Sequence, residues 1–335
     1  MSRRPRLVLS HYEGIELFDA RALDQLDQVG ELLDRTALPH WNDPRAGDLL
    51  ARAEVIVGHW GCGAIDADLL AMAPDLRLFA YAAGTVKFNV TPATFDAGVR
   101  VTSGANANAL PVADYTLAMI LLANKDALFQ RDLLRDRSLA DRRRYGEWEV
   151  GNWDKTVGLV SASLVGRAVI ELLAAFPQFE VLVYDPFLGE AEAERLGVRA
   201  VPLDELCARS DVVSVHAPLL ETTTGLIGAA QLAAMRTGTT LINTARGPIV
   251  DHAALLAELE SGRLFAVLDV TDPEPLPDDS PFLDLPNAYI TPHLAGSQGS
   301  EYGRMVDFVV EEIRRFAAGE PPLNEVTAEM LERTA

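Results

Sequence analysis

The sequence predicts an α/β fold of two doubly wound parallel-sheet domains. Short β-branched runs alternate with amphipathic stretches along the chain, the pattern of βαβ units with helices on both faces of a sheet. Several of those runs are almost continuously apolar, as strands buried on both faces must be. The series also restarts after residue 155, and 335 residues make two domains of ordinary size.

In the first series, strands are predicted at Leu7–Ser10, Val55–Gly58, Leu76–Ala80 and Val99–Thr102, with helices such as Asp66–Met72 between them. In the second, strands are predicted at Thr156–Val160, Val181–Tyr184, Val212–Val215, Thr240–Asn243, Ala266–Val270 and Ala288–Ile290. Its helices are predicted at Val165–Phe176, Leu203–Ala208, Ala229–Met235 and His252–Leu259, the last capped by Asp251 and followed by Gly262. Two stretches are placed to join the halves. One is the long apolar helix Ala109–Lys125; the other is Gln298–Phe316, ending at Gly319 before Pro321-Pro322. The first domain is therefore expected to be discontinuous, residues 1–105 with 298–335, interrupted by a second domain at 106–297. The charged and aromatic segment Gln130–Asn152 reads equally as a subunit-contact arm or as an exposed loop.

Hydrophobic residues make up 49% of the chain, enough for a core in each domain. No apolar run is long enough to span a bilayer, so no membrane association is expected. The basic start Met1-Ser2-Arg3-Arg4 is followed only by Leu7-Val8-Leu9, too short for a signal peptide. Cys62 and Cys207 lie far apart and match no metal-ligand spacing, so neither a disulfide framework nor a metal site is expected. These features fit a reducing cytoplasm. A formal charge of −20 disfavours a nucleic-acid partner, whose phosphates would be repelled.

The segment Thr156-Val-Gly-Leu-Val-Ser-Ala-Ser-Leu-Val-Gly166 reads as an entering strand, a turn of small residues and a departing helix. A dinucleotide fold needs this arrangement to place a pyrophosphate on a helix N-terminus. Ser161 and Ser163 stand where the first two glycines of that fingerprint would be, and only Gly166 remains. The β-carbon of Ser163 is expected to push a cofactor away or twist the turn, while its hydroxyl offers a donor to a phosphate oxygen. Asp185 ends the next strand, 19 residues past Gly166. A carboxylate there hydrogen-bonds an adenosine ribose and repels a 2′-phosphate, so NAD is favoured over NADP.

Three further segments follow strands: Asn243-Thr-Ala-Arg-Gly247, Leu268-Asp-Val-Thr-Asp-Pro-Glu-Pro275 and Thr291-Pro-His-Leu-Ala-Gly296. Ligands of open α/β sheets bind beyond the carboxyl ends of strands. Arg246, Glu274 and His293 are thus expected to converge beside the nicotinamide. Reduction of a 2-oxo acid needs a hydride on the carbonyl carbon and a proton on its oxygen. His293 is suited to deliver that proton and to act as base in reverse. Glu274 would favour the imidazolium form. Arg246 suits a planar carboxylate.

With these segments, and with His216-Ala-Pro-Leu219, Ala82-Ala-Gly-Thr85 and Asn108-Ala-Leu-Pro-Val-Ala-Asp114, the chain resembles the D-isomer-specific 2-hydroxyacid dehydrogenase family over about residues 50–320. The resemblance implies a Rossmann NAD-binding domain inserted in a flavodoxin-like substrate domain. It implies catalytic roles for Arg246, Glu274 and His293, and a nicotinamide carboxamide held by Asp269. It implies that the backbone amides of Ala83 and Gly84 take the substrate carboxylate, with Arg246 and His293 also on the substrate. It further implies a cofactor lined by Ser161, Ser163, Leu164, Val165, Gly166, Asp185, His216, Ala217, Pro218, Thr223, Thr244, Ala245, Arg246, Asp269, His293 and Ala295. A homodimer formed through the cofactor domains is implied as well.

The chain departs from the family in the turn Ser161-Ala-Ser163-Leu164, in Asp114 for a frequent glutamate, and in Val86-Lys87 for an acidic and amide pair. His59-Trp60-Gly61-Cys62 lacks the arginine of the phosphoglycerate enzymes; Trp60 either lines a pocket for an apolar substrate tail or is packing. Two functional classes stay open: an NAD(H)-dependent enzyme interconverting a D-2-hydroxy acid and a 2-oxo acid, and a non-catalytic NAD(H)-sensing interaction protein on the same scaffold. The enzyme is expected to close about hinges near Asn106–Leu110 and Ser297–Gly299.

Overall fold

The computed structural model describes residues 4–12, 18–130 and 150–331. Most of the segment 130–152, read above as an arm or a loop, lies outside the described residues. The chain divides into two compact units, Met1–Asn108 with Ser297–Ala335, and Ala109–Gly296. The first boundary falls within the helix Ala105–Asn124.

The first unit is built on β1 (Arg6–Ser10), β2 (Glu31–Leu32), β3 (Val55–Gly58), β4 (Leu78–Tyr81) and β5 (Arg100–Ser103). They form one parallel sheet in the order β2-β1-β3-β4-β5, the flavodoxin-like order. Successive side chains of a strand point to opposite faces, so Leu7 and Leu9 of β1 join one core cluster and Val8 the other. The strand β4 begins at Leu78, two residues later than the apolar run predicts. Leu76 is used instead in a turn, where its N–H donates to the Ala73 carbonyl.

The second unit contains β6 (Lys155–Val160), β7 (Phe179–Tyr184), β8 (Arg199–Ala200), β9 (Val212–Val215), β10 (Thr240–Asn243), β11 (Phe265–Leu268) and β12 (Ala288–Ile290). Their order is β12-β11-β10-β9-β6-β7-β8, again parallel throughout. From β6 the chain builds outward through β7 and β8, then returns to place β9 on the other side of β6. That reversal makes a crevice outside the carboxyl ends of β6 and β9, where ligands of such sheets bind. The strand β11 stops at Leu268, paired with Ile290 of β12, two residues short of the predicted end.

Helix ends follow local chemistry. Asp66 and Asp251 cap their helices through the amides of Leu69 and Ala254. Gly319, at φ 73°, closes the helix Tyr302–Ala318 in the left-handed conformation that favours glycine. The apolar helix predicted from Ala109 begins four residues earlier, at Ala105, and carries Pro111 in its interior. Proline there lacks the N–H that would reach the Ala107 carbonyl.

Candidate active site

At the end of β6, Ser161 has φ +84°, a conformation usually reserved for glycine. Its hydroxyl donates to Asp185 Oδ2 at 2.9 Å, and the Ala162 amide donates to the same oxygen at 2.9 Å. The other oxygen of Asp185 accepts the Phe187 amide at 2.8 Å. The carboxylate thus stitches the turn to the end of β7 and has used three of its roughly four acceptor positions.

Ser163 does something the sequence did not reveal. It is the N-cap of the helix Leu164–Leu173, accepting the Gly166 amide at 3.3 Å. Its hydroxyl hydrogen goes to the His216 carbonyl at 2.7 Å. That corrects the expectation of a donor to phosphate: the one proton is committed within the fold. A β-carbon at Gly166 would lie 2.1 Å from the Ser161 carbonyl oxygen, so this position admits only glycine. The amides of Leu164 and Val165 begin the helix with no intrahelical acceptor, the kind of helix end that favours anions.

Across the crevice, at the end of β9, His216 is buried, with Nε2 on the Ser214 hydroxyl at 2.9 Å and Nδ1 without a partner. Burial pushes its pKa down to about 3. Ala217 is buried beside it, and the Thr223 hydroxyl donates to the Pro218 carbonyl at 2.6 Å.

The second group of residues also lies in this unit. Buried Asn243 shapes the turn after β10: its amide donates to the Arg246 carbonyl at 2.9 Å and its oxygen accepts the Ala245 amide at 3.0 Å. The half-buried Arg246 donates from Nη1 to the Ala245 carbonyl at 2.6 Å. Burial draws the Arg246 pKa down, and the charge of nearby Glu274 opposes this. A β-carbon at Gly247 would sit 1.9 Å from the Thr271 carbonyl, so only glycine lets this turn lie against the loop carrying Glu274. His252 braces the same loop: its Nδ1 meets the Val250 carbonyl at 3.1 Å, and its Nε2 accepts the Asp272 amide at 3.2 Å.

Glu274 Oε1 lies 2.6 Å from His293 Nδ1. The hydrogen between them sits on Nδ1 when the imidazole is neutral, which leaves Nε2 for a substrate. Half of the His293 side chain is exposed. Its backbone is left-handed at φ +53°, and its amide donates to the Asp269 carbonyl at 2.9 Å. The Asp269 carboxylate, almost fully buried, accepts the Thr291 hydroxyl (2.6 Å) and the amides of Leu294 (2.8 Å) and Ala295 (2.9 Å). Arg246, Glu274 and His293 are therefore gathered in one place. Asp269, expected on the nicotinamide, spends most of its acceptor capacity on the loop that carries His293.

Ala83 and Gly84 belong to the first unit, at the carboxyl end of β4. Neither backbone amide donates a hydrogen bond among the described residues, although Ala83 is buried. The Ser103 hydroxyl holds the loop through the Gly84 carbonyl. Trp60 packs edge-on against Tyr302, with ring centroids 5.9 Å apart.

Sequence reasoning did not single out Tyr115, Gly247 or His252, and took Thr291 only as part of a motif. The available signal for Tyr115 was its hydroxyl on a helix read as largely buried, since a buried tyrosine hydroxyl usually finds a partner.

Residues 117–295 match the model of the D-isomer specific 2-hydroxyacid dehydrogenase NAD binding domain. The chain belongs to the D-isomer specific 2-hydroxyacid dehydrogenase family. It is 35% identical over 279 residues to the glyoxylate reductase of Korarchaeum cryptofilum, covering 80% of this chain and 81% of that protein. It is 36% identical over 279 residues to the D-3-phosphoglycerate dehydrogenase of Mycobacterium tuberculosis, covering 83% of this chain and 50% of the relative. The chain spans about half the length of the phosphoglycerate dehydrogenases it matches. Among solved structures it is similar to the apo form of D-mandelate dehydrogenase from Rhodotorula graminis, with a TM-score of 0.79 and 25% identity over 97% of this chain and 98% of that one.

The residues present fit the dinucleotide of this family's cofactor domain. The close-packed glycine at 166 and the first-turn amides of Leu164 and Val165 follow the carboxyl end of β6, and the Cβ of His216, after β9, lies 3.6 Å from the place of a β-carbon at Gly166. Asp185 keeps about one acceptor position for a ribose hydroxyl. Among the described residues no cluster of three or more His, Cys, Asp or Glu is arranged for a metal ion, and no helix is long and apolar enough to cross a membrane.

Proposed function

We propose that this protein is an NAD(H)-dependent oxidoreductase that interconverts a D-2-hydroxy acid and its 2-oxo acid. The observation that carries the proposal is the 2.6 Å contact between His293 and Glu274, beside Arg246. A reduced nicotinamide cofactor, held by the helix end at Leu164 and Val165 and by Asp185, would supply a hydride to the carbonyl carbon. His293 delivers a proton from Nε2 to the carbonyl oxygen, and takes it back in the oxidative direction. Glu274 fixes the ring and balances the charge that His293 carries when protonated. Arg246 pairs with the substrate carboxylate and polarises the carbonyl. In the first unit, the amides of Ala83 and Gly84, which donate to no acceptor among the described residues, are suited to a carboxylate. The Asp185 carboxylate supports NAD over NADP, because a 2′-phosphate would face a negative group. Family resemblance supports a homodimer. The burial of the free thiols Cys62 and Cys207 fits the cytoplasm.

The matching relatives are named for 3-phosphoglycerate, glyoxylate and mandelate, so the side chain of the acid is the open variable. The test is NADH and NADPH oxidation with glyoxylate, hydroxypyruvate, pyruvate, phenylpyruvate and longer branched 2-oxo acids. Turnover with NADH is expected, with His293→Ala reducing kcat by roughly 10²–10⁴-fold. Tenfold higher kcat/KM with NADPH would overturn the coenzyme assignment.

A second reading, a non-catalytic NAD(H) sensor, is favoured by one feature: the Ser163 proton is given to the His216 carbonyl, and three of the roughly four acceptor positions of Asp185 are taken within the fold. NADH binding without turnover on any acid would select it.

A further inference from the structure

We infer that Tyr115 is a positioning residue that acts through Thr291 and Asp269 on the loop carrying His293. The inference rests on the proposed role of His293 as the proton donor. The Tyr115 hydroxyl lies 2.9 Å from Thr291 Oγ1, which lies 2.6 Å from Asp269 Oδ1. The direction of these bonds is determined. An ionised carboxylate only accepts, so the single hydroxyl hydrogen of Thr291 points to Asp269. The Thr291 oxygen is then the acceptor, and Tyr115 donates to it. Burial pushes the Tyr115 pKa up to about 12, so its proton is present throughout the working range.

The chain ends where the geometry of His293 is set. Asp269, 2% exposed, has no cation paired with it among the described residues and is stabilised by donors alone. Two of these are the amides of Leu294 and Ala295, and the Asp269 carbonyl accepts the amide of His293 itself. The left-handed backbone at His293 has to be held by its surroundings, and these bonds hold it on both sides. Without Tyr115 the Thr291 hydroxyl is no longer confined to one rotamer, and the shortest bond to Asp269 loosens. The neighbouring residue on the same helix, Thr116, reaches the hydroxyl of Thr244 at 3.3 Å, two residues before Arg246. Successive residues of the helix Ala105–Asn124 thus contact the turn of Arg246 and the loop of His293.

The test uses the full chain with Tyr115→Phe, which keeps the ring and removes the hydroxyl, Thr291→Val, and Thr291→Ser, which keeps the hydroxyl. Hydrogen–deuterium exchange on the ligand-free protein should show amides 293–295 exchanging about fivefold faster or more in Tyr115→Phe and Thr291→Val. Protection of β6 and β10 should be unchanged, and Thr291→Ser should behave as the unmodified chain. Turnover should fall five- to thirtyfold in kcat in the first two variants, with KM for the 2-oxo acid and NADH affinity by fluorescence within twofold. Exchange at 293–295 within twofold in Tyr115→Phe would overturn the inference. So would loosening spread over the whole second unit that Thr291→Ser shares, since the hydroxyls would then serve general stability. If the unmodified chain turns over no acid, the proposed function fails, and the exchange result still decides whether Tyr115 and Thr291 hold this loop.

Discussion

At the level of single residues, the serines of the cofactor turn show how a side chain can replace a missing glycine. Ser161 adopts a left-handed backbone and offsets its strain with a hydrogen bond to Asp185. Ser163 caps the helix and anchors it to β9 through the His216 carbonyl. Removing that cap with Ser163→Ala should cost about 0.5–2 kcal/mol, read as a lower urea midpoint at constant slope. An unchanged midpoint would mean that the capping bond carries no weight. Gly166 has no such substitute. In Gly166→Ala the new methyl would lie 2.1 Å from the Ser161 carbonyl, so the turn must open. NADH affinity, measured by fluorescence, should fall at least tenfold. Retained affinity would show that the dinucleotide does not rest on this turn. That Asp185 and Gly166 belong to one strand–turn–helix unit was legible from their spacing. The partners of the two serines were not, because nothing local to residues 161–163 specifies a contact to residues 185 or 216.

At the level of elements, complete burial did not by itself fix strand bounds: the fully buried β4 and β11 are displaced by up to two residues, while the half-buried β12 lies where it was predicted. Val55–Gly58, Val212–Val215 and Thr240–Asn243 are buried throughout and appear as predicted. The two-residue strands β2 and β8 carry too few residues for a period to register. A similar blind spot hid Glu312. On the helix Tyr302–Ala318 it looks like one more surface carboxylate, yet it is 1% exposed. It accepts the amides of Leu323 (3.2 Å) and Asn324 (3.0 Å). That segment in turn pairs with β5, through the Val326 amide and the Val101 carbonyl at 2.8 Å. Glu312→Ala should leave those amides without their acceptor, at a cost of about 1–3 kcal/mol. Thermal unfolding should detect it, together with faster exchange of amides 323–326. Exchange there equal to the unmodified chain would show that the carboxylate does not hold the segment.

At the scale of the whole molecule, two buried histidines link stability to pH. Burial pushes His59 and His216 down to about 3 from an ordinary value near 6.5. Between those limits the unfolded chain binds more protons than the folded one, so stability is fully present above about pH 6.5 and is lost as the pH falls toward 3. Each histidine contributes a slope of up to about 1.4 kcal/mol per pH unit within that window. The unfolding free energy should therefore decline from pH 7.5 to 5, and His59→Leu should remove roughly half of the decline that the two produce. An identical decline in the variant would show that His59 does not resist protonation in the fold.

The fold class, the succession of strands and helices, and the loops that carry Arg246, Glu274 and His293 were already legible in the order of residues. Those properties follow from local periodicity and from residues a few positions apart. How the site is held together emerges only in the packed fold. The reversal of strand order between β6 and β9 opens the cofactor crevice. Asp269 is turned inward onto the His293 loop, and Tyr115 is brought to Thr291 across 176 residues of chain. Hydrogen bonds between distant residues depend on which strands become neighbours, and that is settled when the sheet assembles and its faces are buried, not by the residues flanking either partner.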